Sequence, residues 1–373
     1  MKEGCENLEE LKKGSQDLKR EVMDGGWCVS CGVCVEACPY IKALGDRVAV
    51  IHDCRLDDGN CYKICPRTET DYHTLSKMVH QKDEYEPVLG GHRKLYFARA
   101  AQEKFSEPAQ YGGVVTALAA LALSENEVDA ALLTGNSPGN RPQPVLARKE
   151  EEVVAAAGSK YTVCPTVKGL YKTNDDDRVL VVGRPCQVTG LRKLQHRTEM
   201  RQGKNVELII GLFCFFSLRY DFYDFLQDEL GIDAVCGMDI PKDGDVRVLS
   251  PSGKHEVPLD KIRPLIKQGC HSCFDPTSEL SDISVGSTES DPGWCTLIVR
   301  TEKGDALVQK AIAQKVIEVQ PYPAEKEKQL REAVVNKKRR VLLEQHDFAP
   351  INSSYLNMDE KMRQFLKGRG ENV

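Results

Sequence analysis

Three short, almost unbroken apolar runs punctuate the middle of the chain: "DAALLTG" (129–135), "RVLVVG" (178–183) and "VELIIGLFC" (206–214). Runs of this length, bounded by glycine and without polar alternation, suit strands buried on both faces of an open α/β sheet. Between them lie stretches with helical character, "GGVVTALAALALSEN" (112–126) and "SLRYDFYDFLQDELG" (217–231). The second closes on Gly231, the position of a left-handed helix stop. The tract "TNDDDR" (173–178) reads as a solvated loop. The pattern predicts an α/β domain over 92–310, after a helical extension (1–24) and a cysteine-rich module (25–75). A charged, mostly helical region (311–373) follows, and its segment "AEKEKQLREAVVNKKRRVLLEQ" (324–345) reads as a solvated helix or a partner contact.

Composition narrows the choices. The 373 residues leave room for two or three domains. With 51 basic and 56 acidic residues the formal net charge is -5 and no extended basic block appears, so no nucleic-acid partner is expected. The charged start has no apolar signal core, and the most apolar stretch, "LIIGLFCFFSL" (208–218), is far shorter than the roughly 20 residues of a membrane span. The expectation is a cytoplasmic, soluble chain with no membrane span, free to dock at the periphery of a larger assembly.

The fifteen cysteines change the picture most. In a reducing cytosol, clustered thiols point to metal rather than disulfides. Cys28, Cys31, Cys34 and Cys38 are spaced C-x2-C-x2-C-x3-C-P, the run that wraps [4Fe–4S] clusters in bacterial-type ferredoxins. A structural zinc site needs only two close pairs and neither the proline nor a third evenly spaced cysteine. A second run, "CRLDDGNCYKICPR" (54–67), offers Cys61-x3-Cys65-Pro66, but Asp58 stands where a cysteine is usual and Cys54 is one residue out of step. The usual crossing assigns Cys28, Cys31, Cys34 and Cys65 to one cluster and leaves Cys38, Cys54 and Cys61 for another. The fourth ligand of that set is open: Asp58 or Asp57 through oxygen, a water, Cys5, or none in a three-iron cluster. A decayed second half with one surviving cluster is the simpler alternative.

Four more cysteines fall in predicted loops: Cys186 in "VGRPCQ", Cys214 in "GLFC", and Cys270 with Cys273 in "GCHSCFD". Two of them follow the carboxyl ends of predicted strands, where α/β sheets gather ligands, and four thiolates suffice for another [4Fe–4S] cluster. Cys164, Cys236 and Cys295 read as small hydrophobes.

In this order, "YGGVVTALAALAL", "GSKYTVCP", "VGRPCQVTGLRKL", "GLFCFFS", "GCHSCFDPTSELSDISVGS" and "DPGWCTLIVRTEKG" resemble the coenzyme F420 hydrogenase/dehydrogenase beta-subunit family. With a ferredoxin-like module in front, the arrangement is similar to the electron-input subunits of F420H2 dehydrogenases of methanogens and their relatives. The resemblance covers about 27–305 and implies an oxidoreductase subunit with an α+β two-cluster ferredoxin-like module, then an α/β domain carrying FAD and an iron–sulfur cluster. It implies coenzyme F420 as exchangeable substrate, two or three [4Fe–4S] clusters, and partners in a hydrogenase, dehydrogenase or heterodisulfide-reductase-like complex, or ferredoxin. FAD is expected at Gly112, Gly113, Val115 and Thr116, where glycines let a ligand approach a helix start. Ser159, Lys160 and Tyr161 are expected beside the flavin, Lys160 offsetting negative charge and Tyr161 stacking. Asp282, Ser284 and Gly286 are expected to line the pocket, with Gly293 allowing close approach and Trp294 stacking on the ligand or sitting in the core. Alternatives are a ferredoxin-dependent FAD/iron–sulfur reductase of an organic substrate and a non-catalytic electron-transfer adaptor.

Overall fold

The apolar runs become the centre of one mixed sheet. The computed structural model describes residues 12–137, 141–241, 245–288, 291, 293–343 and 353–368. Numbered along the chain, a hairpin of β1 (Ile41–Leu44) and β2 (Arg47–Val50) and a short β3 (Thr70–Asp71) come first. Then follow β4 (Lys94–Ala100), β5 (Ala130–Asn136), β6 (Pro142–Ala147), β7 (Val179–Gly183) and β8 (Val206–Leu212). A small unit holds β9 (Gly237–Asp239), β10 (Val246–Ser250) and β11 (Gly253–Val257), before β12 (Ile283–Ser287), β13 (Cys295–Val299), β14 (Ile317–Pro321) and β15 (Leu356–Asn357).

The large sheet runs β14-β4-β13-β12-β8-β7-β5-β6. Its middle steps, β12 to β8, β8 to β7 and β7 to β5, are parallel, and the flanking pairs are antiparallel. Every residue of β7 is buried, as a strand covered on both faces requires. One face packs under the helices Val114–Ser124 and Glu302–Ala313, the other under Pro185–His196, Tyr72–His80 and the C-terminal segment. The helix Val114–Ser124 is buried nearly all round, which explains its lack of a polar stripe. The sheet reaches past residue 310, because the edge strand β14 pairs with β4. The antiparallel β9-β10-β11 sheet and the helix Asp221–Leu230 have a core of their own around Phe222, Leu226 and Val248.

The N-terminal cysteine segment folds as a short helical turn, Ser15–Leu18, continuing into Lys19–Met23, then cysteine loops around the β1–β2 hairpin. Of the helical extension expected over 1–24, residues 1–11 lie outside the described residues. The segment is bound to the rest of the chain rather than tethered to it. Lys193, on the helix after Cys186, donates to Cys65 O at 2.6 Å and Glu69 O at 2.7 Å, while β15 pairs with β3. The tract 173–178 is only partly solvated: Asp177 is buried, pairs with Arg148 at 2.5 Å and accepts from Asn174 N at 2.8 Å.

The charged tail forms a helix, Ala324–Leu342, that is not simply solvated; Val334, Val335, Lys337, Lys338, Val341 and Leu342 are buried. Residues 344 and 345 of that segment lie outside the described residues. Lys338 and Glu279 form an ion pair of 2.5 Å in which both side chains are 0% exposed. Lys338 also donates to Pro87 O at 2.7 Å and lies 4.7 Å from the Phe274 ring centre, while Tyr85 donates to Glu279. Removing one member of a buried pair leaves an uncompensated charge. Lys338→Met should therefore destabilise the chain by about 3–5 kcal/mol, seen as a lowered thermal midpoint, and Glu279→Gln in the same chain should restore part of it. An unchanged midpoint in the single variant would show that the pair does not anchor the tail.

Candidate functional site

The parallel register places two thiols side by side. Gly183 of β7 pairs with Gly211 of β8, and Cys186 and Cys214 each follow three residues later, beyond the carboxyl ends of adjacent strands. The loop after Lys267 brings Cys270 and Cys273 to the same place. Cys270 Sγ is 4.0 Å from Ser217 O, and Cys214 Sγ is 4.0 Å from Ser217 Oγ. Burial pushes the Cys186 thiol up to about 12, with Arg184 opposing it and Cys273 and Cys214 reinforcing it. Cys270 is pushed up to about 11 by burial, then by Cys214 and Cys273. These four cysteines thus form one mutually interacting set.

A second set lies next to it. Cys31 and Cys34 are raised well above the usual thiol range, first by burial; Cys31 then feels Cys186, Cys65 and Cys28, and Cys34 feels Cys31, Cys65 and Cys28. Cys28, Cys31, Cys34 and Cys65 therefore share one neighbourhood, and Cys31 faces across to Cys186. Cys61 is pushed up to about 11 by burial and then by Cys38 and Cys54, which marks a third set.

Asp58 does not join that third set. Its carboxylate pairs with Lys63 at 2.7 Å, its side chain is 44% exposed, and the charges acting on it are Lys63, Lys12 and Arg197 rather than thiols. The expectation of an Asp58 ligand is corrected accordingly: the short helix Asn60–Lys63 turns Lys63 back onto it. Cys5 lies outside the described residues.

No described cysteine is in a disulfide. Among the described residues no group of three or more His, Cys, Asp or Glu is arranged around a single metal ion. Buried thiols with raised pKa values stay protonated and inert unless a cation is bound, and a metal ion inverts that balance. Cations stand ready to offset an anionic group. Arg184 touches Ser217 Oγ and, despite burial, is held above its usual pKa by Cys186, Cys214, Cys270 and Cys164. Arg67 is 7% exposed and its Nε and Nη2 have no hydrogen-bond partner. Such orphaned buried donors fit a missing anionic neighbour.

A cavity of about 830 Å³ opens beside the first set, within the range of ligand pockets. Gly113, Val115, Thr116, Ser159, Lys160, Tyr161 and Gly286 line it, and so do Cys214, Cys270 and Arg184. Gly113 is required at its position: its φ is +71° and a Cβ would meet Phe105 O at 2.4 Å. Gly112 stands behind the wall, where its backbone and that of Val114 meet the Cys295 sulfur. Tyr161 accepts from Gln110 at 2.8 Å, and Asp239 accepts from Gln110 at 2.9 Å and from Tyr111 at 2.7 Å, forming a polar network beside the cavity. The ammonium of Lys160 donates to the carbonyls of Ala156, Ala157 and Gly158 at 2.6–2.8 Å, so its first role is to close the preceding helix.

The expectations for Asp282 and Ser284 do not hold. Asp282 is buried away from it, paired with Arg192 at 2.9 Å and accepting from Ile209 N and Thr301 Oγ1. Ser284 is fully buried and accepts from Arg300 Nε at 2.6 Å. Asp282, just before β12, and Ser284, near its start, are taken up by Arg192 and Arg300, whereas Gly286, toward the carboxyl end of the strand, reaches the cavity. Trp294 stacks on Phe97, ring centres 4.7 Å apart, outside the cavity walls. Sequence reasoning missed Arg67, Arg184, Lys337 and the Gln110–Tyr111–Asp239 network. The signals present were the adjacencies C-P-R (65–67) and R-P-C (184–186).

Residues 95–170 match the family described as "Coenzyme F420 hydrogenase/dehydrogenase, beta subunit N-term", and residues 176–325 match the corresponding C terminus. The chain belongs to the coenzyme F420 hydrogenase/dehydrogenase beta-subunit family. Among its relatives, a coenzyme F420-dependent sulfite reductase of Methanocaldococcus jannaschii is 32% identical over 306 residues, 77% of this chain and 46% of the relative. The chain thus spans less than half of that protein. A coenzyme F420 hydrogenase subunit beta of Methanothermobacter thermautotrophicus is 34% identical over 245 residues, 63% of this chain and 86% of the relative. A chain of the F420-reducing [NiFe] hydrogenase complex of Methanosarcina barkeri has a similar structure, with a TM-score of 0.65, 29% identity, and coverage of 73% of this chain and 99% of that one. These relatives are named as F420-dependent redox enzymes or their subunits, and the chain itself has a mixed α/β fold. Among the described residues no helix is long and apolar enough to cross a membrane.

If the Cys186, Cys214, Cys270 and Cys273 set holds a cubane, Cys270→Ala should remove about four irons per chain, and Asp58→Asn should remove none. Iron unchanged in the first variant, or lost in the second, would reverse the respective assignment.

Proposed function

We propose that this chain moves electrons between coenzyme F420, a two-electron hydride carrier, and [4Fe–4S] clusters that lead to a partner subunit or ferredoxin. The observation that carries this reading is a shared wall: Cys214 and Cys270 line the large cavity and also belong to the four-cysteine set behind it. A flavin bound in that cavity would supply the conversion between two-electron and one-electron transfer. Val115, Thr116 and Gly113 at the helix start, with Tyr161 and Gly286, are the residues placed to hold it. Gly113 keeps the backbone thin where a ligand approaches the helix start.

The remaining residues do ordinary physical work. The Gln110–Tyr111–Asp239 network fixes Tyr161 at the cavity edge. Lys337 donates to Cys214 O at 2.9 Å and Phe215 O at 2.8 Å, so the C-terminal helix holds the loop that presents Cys214 and screens it from water. From the cavity outward the thiol sets follow as Cys186–Cys214–Cys270–Cys273, then Cys28–Cys31–Cys34–Cys65, then Cys38–Cys54–Cys61. The influence of Cys186 on the Cys31 thiol and of Cys61 on the Cys34 thiol supports this order. The outermost segment leaves Leu44, Ile51 and Leu56 exposed beside it, an apolar surface suited to a partner.

The test is anaerobic absorbance during addition of reduced F420, with NADH and reduced ferredoxin in parallel. Bleaching of the flavin band by reduced F420, and not by NADH, is expected. A flavin reduced only by ferredoxin would favour an organic-substrate reductase, and a chain that binds no flavin would favour the adaptor reading; either outcome overturns the proposal.

A further inference from the structure

Arg67 lies at the seam between the N-terminal cysteine segment and the sheet domain. Its backbone N–H donates to Cys65 Sγ at 3.4 Å, while the thiols of Cys273 and Cys186 act on its charge from the other side. Its Nη1 donates to Pro66 O and Tyr355 Oη, each at 3.3 Å, and the guanidinium lies 5.1 Å from the Tyr355 ring centre. Tyr355 is itself pinned, donating to Ser272 O at 2.7 Å. Nε and Nη2 are buried without a hydrogen-bond partner, and no carboxylate among the described residues pairs with the side chain.

A buried cation without a counter-charge costs several kcal/mol, and arginine cannot shed its proton to escape. Something anionic must offset it: the groups acting on its charge are Tyr355 first, then Cys273, Cys186 and Tyr72, and of these only the thiols become anionic near neutral pH, when a metal cluster is bound. A cubane held by four thiolates carries net negative charge, which grows by one unit on reduction. A fixed positive charge beside it favours the reduced form, and charge near a cluster is one of the levers that set its potential.

We propose that Arg67 sets the energy of the one-electron crossing between the two modules. It favours the reduced state of the cluster on Cys28, Cys31, Cys34 and Cys65 and of the cluster on Cys186, Cys214, Cys270 and Cys273. This deepens the proposed function and rests on its assignment of clusters to both sets. In the crossing one cluster is oxidised as the other gains its electron; no bond to Arg67 forms or breaks and no proton moves. Charge and shape are separable here. Lysine keeps the charge but loses the planar fork over Tyr355, whereas glutamine and methionine lose the charge.

The experiment compares wild type with Arg67→Gln, Arg67→Met and Arg67→Lys by iron analysis and EPR-monitored redox titration. With iron content unchanged, the uncharged variants should lower the reduction equilibrium constant of at least one of these clusters about tenfold, about 59 mV for a one-electron couple. Arg67→Lys should stay near wild type. Loss of clusters in one uncharged variant alone reports misfolding, and the other then carries the comparison. Full iron with unchanged potentials in an uncharged variant would overturn the role of Arg67 and leave the cluster assignment standing. Equal shifts in all three variants would show that the planar fork rather than the charge matters, which also overturns it. Wild-type protein that binds no iron under anaerobic reconstitution would overturn the cluster assignment and this inference with it.

Discussion

The structure turns on one constraint: thiols from five stretches of chain, buried or half-buried, meet along the seam between the sheet and the N-terminal segment. Burial raises the pKa of Cys31, Cys34 and Cys186, so holding these thiols together favours a bound cationic centre that keeps them as thiolates. The same seam holds Arg67, Arg184 and Lys193. Cations and thiols gathered in one dry region make physical sense when an anionic, thiolate-held group completes them. Several long-range contacts serve this seam: Lys193 ties the second cysteine run to the helix after Cys186, and β15 returns the C-terminal segment to β3.

The sheet supplies the precision. Parallel pairing of β7 and β8 fixes Gly183 opposite Gly211, so Cys186 and Cys214 leave the sheet at the same level. The cavity opens at these strand ends, where open α/β sheets bind ligands. Sheet topology therefore places the cavity and the Cys186–Cys214–Cys270–Cys273 set against one wall. The C-terminal helix closes the arrangement, with Lys337 on the Cys214 loop and Lys338 buried against Glu279.

Much of this was legible in the chain. The three apolar runs and both helical stretches appear where their patterning puts them, since continuous burial and a glycine stop are local signals. The cysteine spacings also marked the residues that come together. Asp58 misled because spacing says which residue occupies a position and not what stands beside it; Lys63, five residues on, takes its carboxylate. Asp282 and Ser284 misled for a related reason. Small and polar residues near a cofactor motif look like pocket lining, but Asp282 and Ser284, before and near the start of β12, are taken up by Arg192 and Arg300 short of the strand's carboxyl end. Arg67 and Arg184 were invisible because only tertiary structure shows a charge to be buried between thiol sets.

Under the proposed function, three thiol sets and one cavity hold iron–sulfur clusters and a flavin in a single chain. The most direct measurement is quantification of iron, acid-labile sulfide and flavin in anaerobically purified protein. With cubanes in all three sets, about twelve irons and matching sulfide per chain are expected beside one FAD, and a three-iron outer cluster would give about eleven. Zinc in place of iron, or iron without flavin, would contradict it.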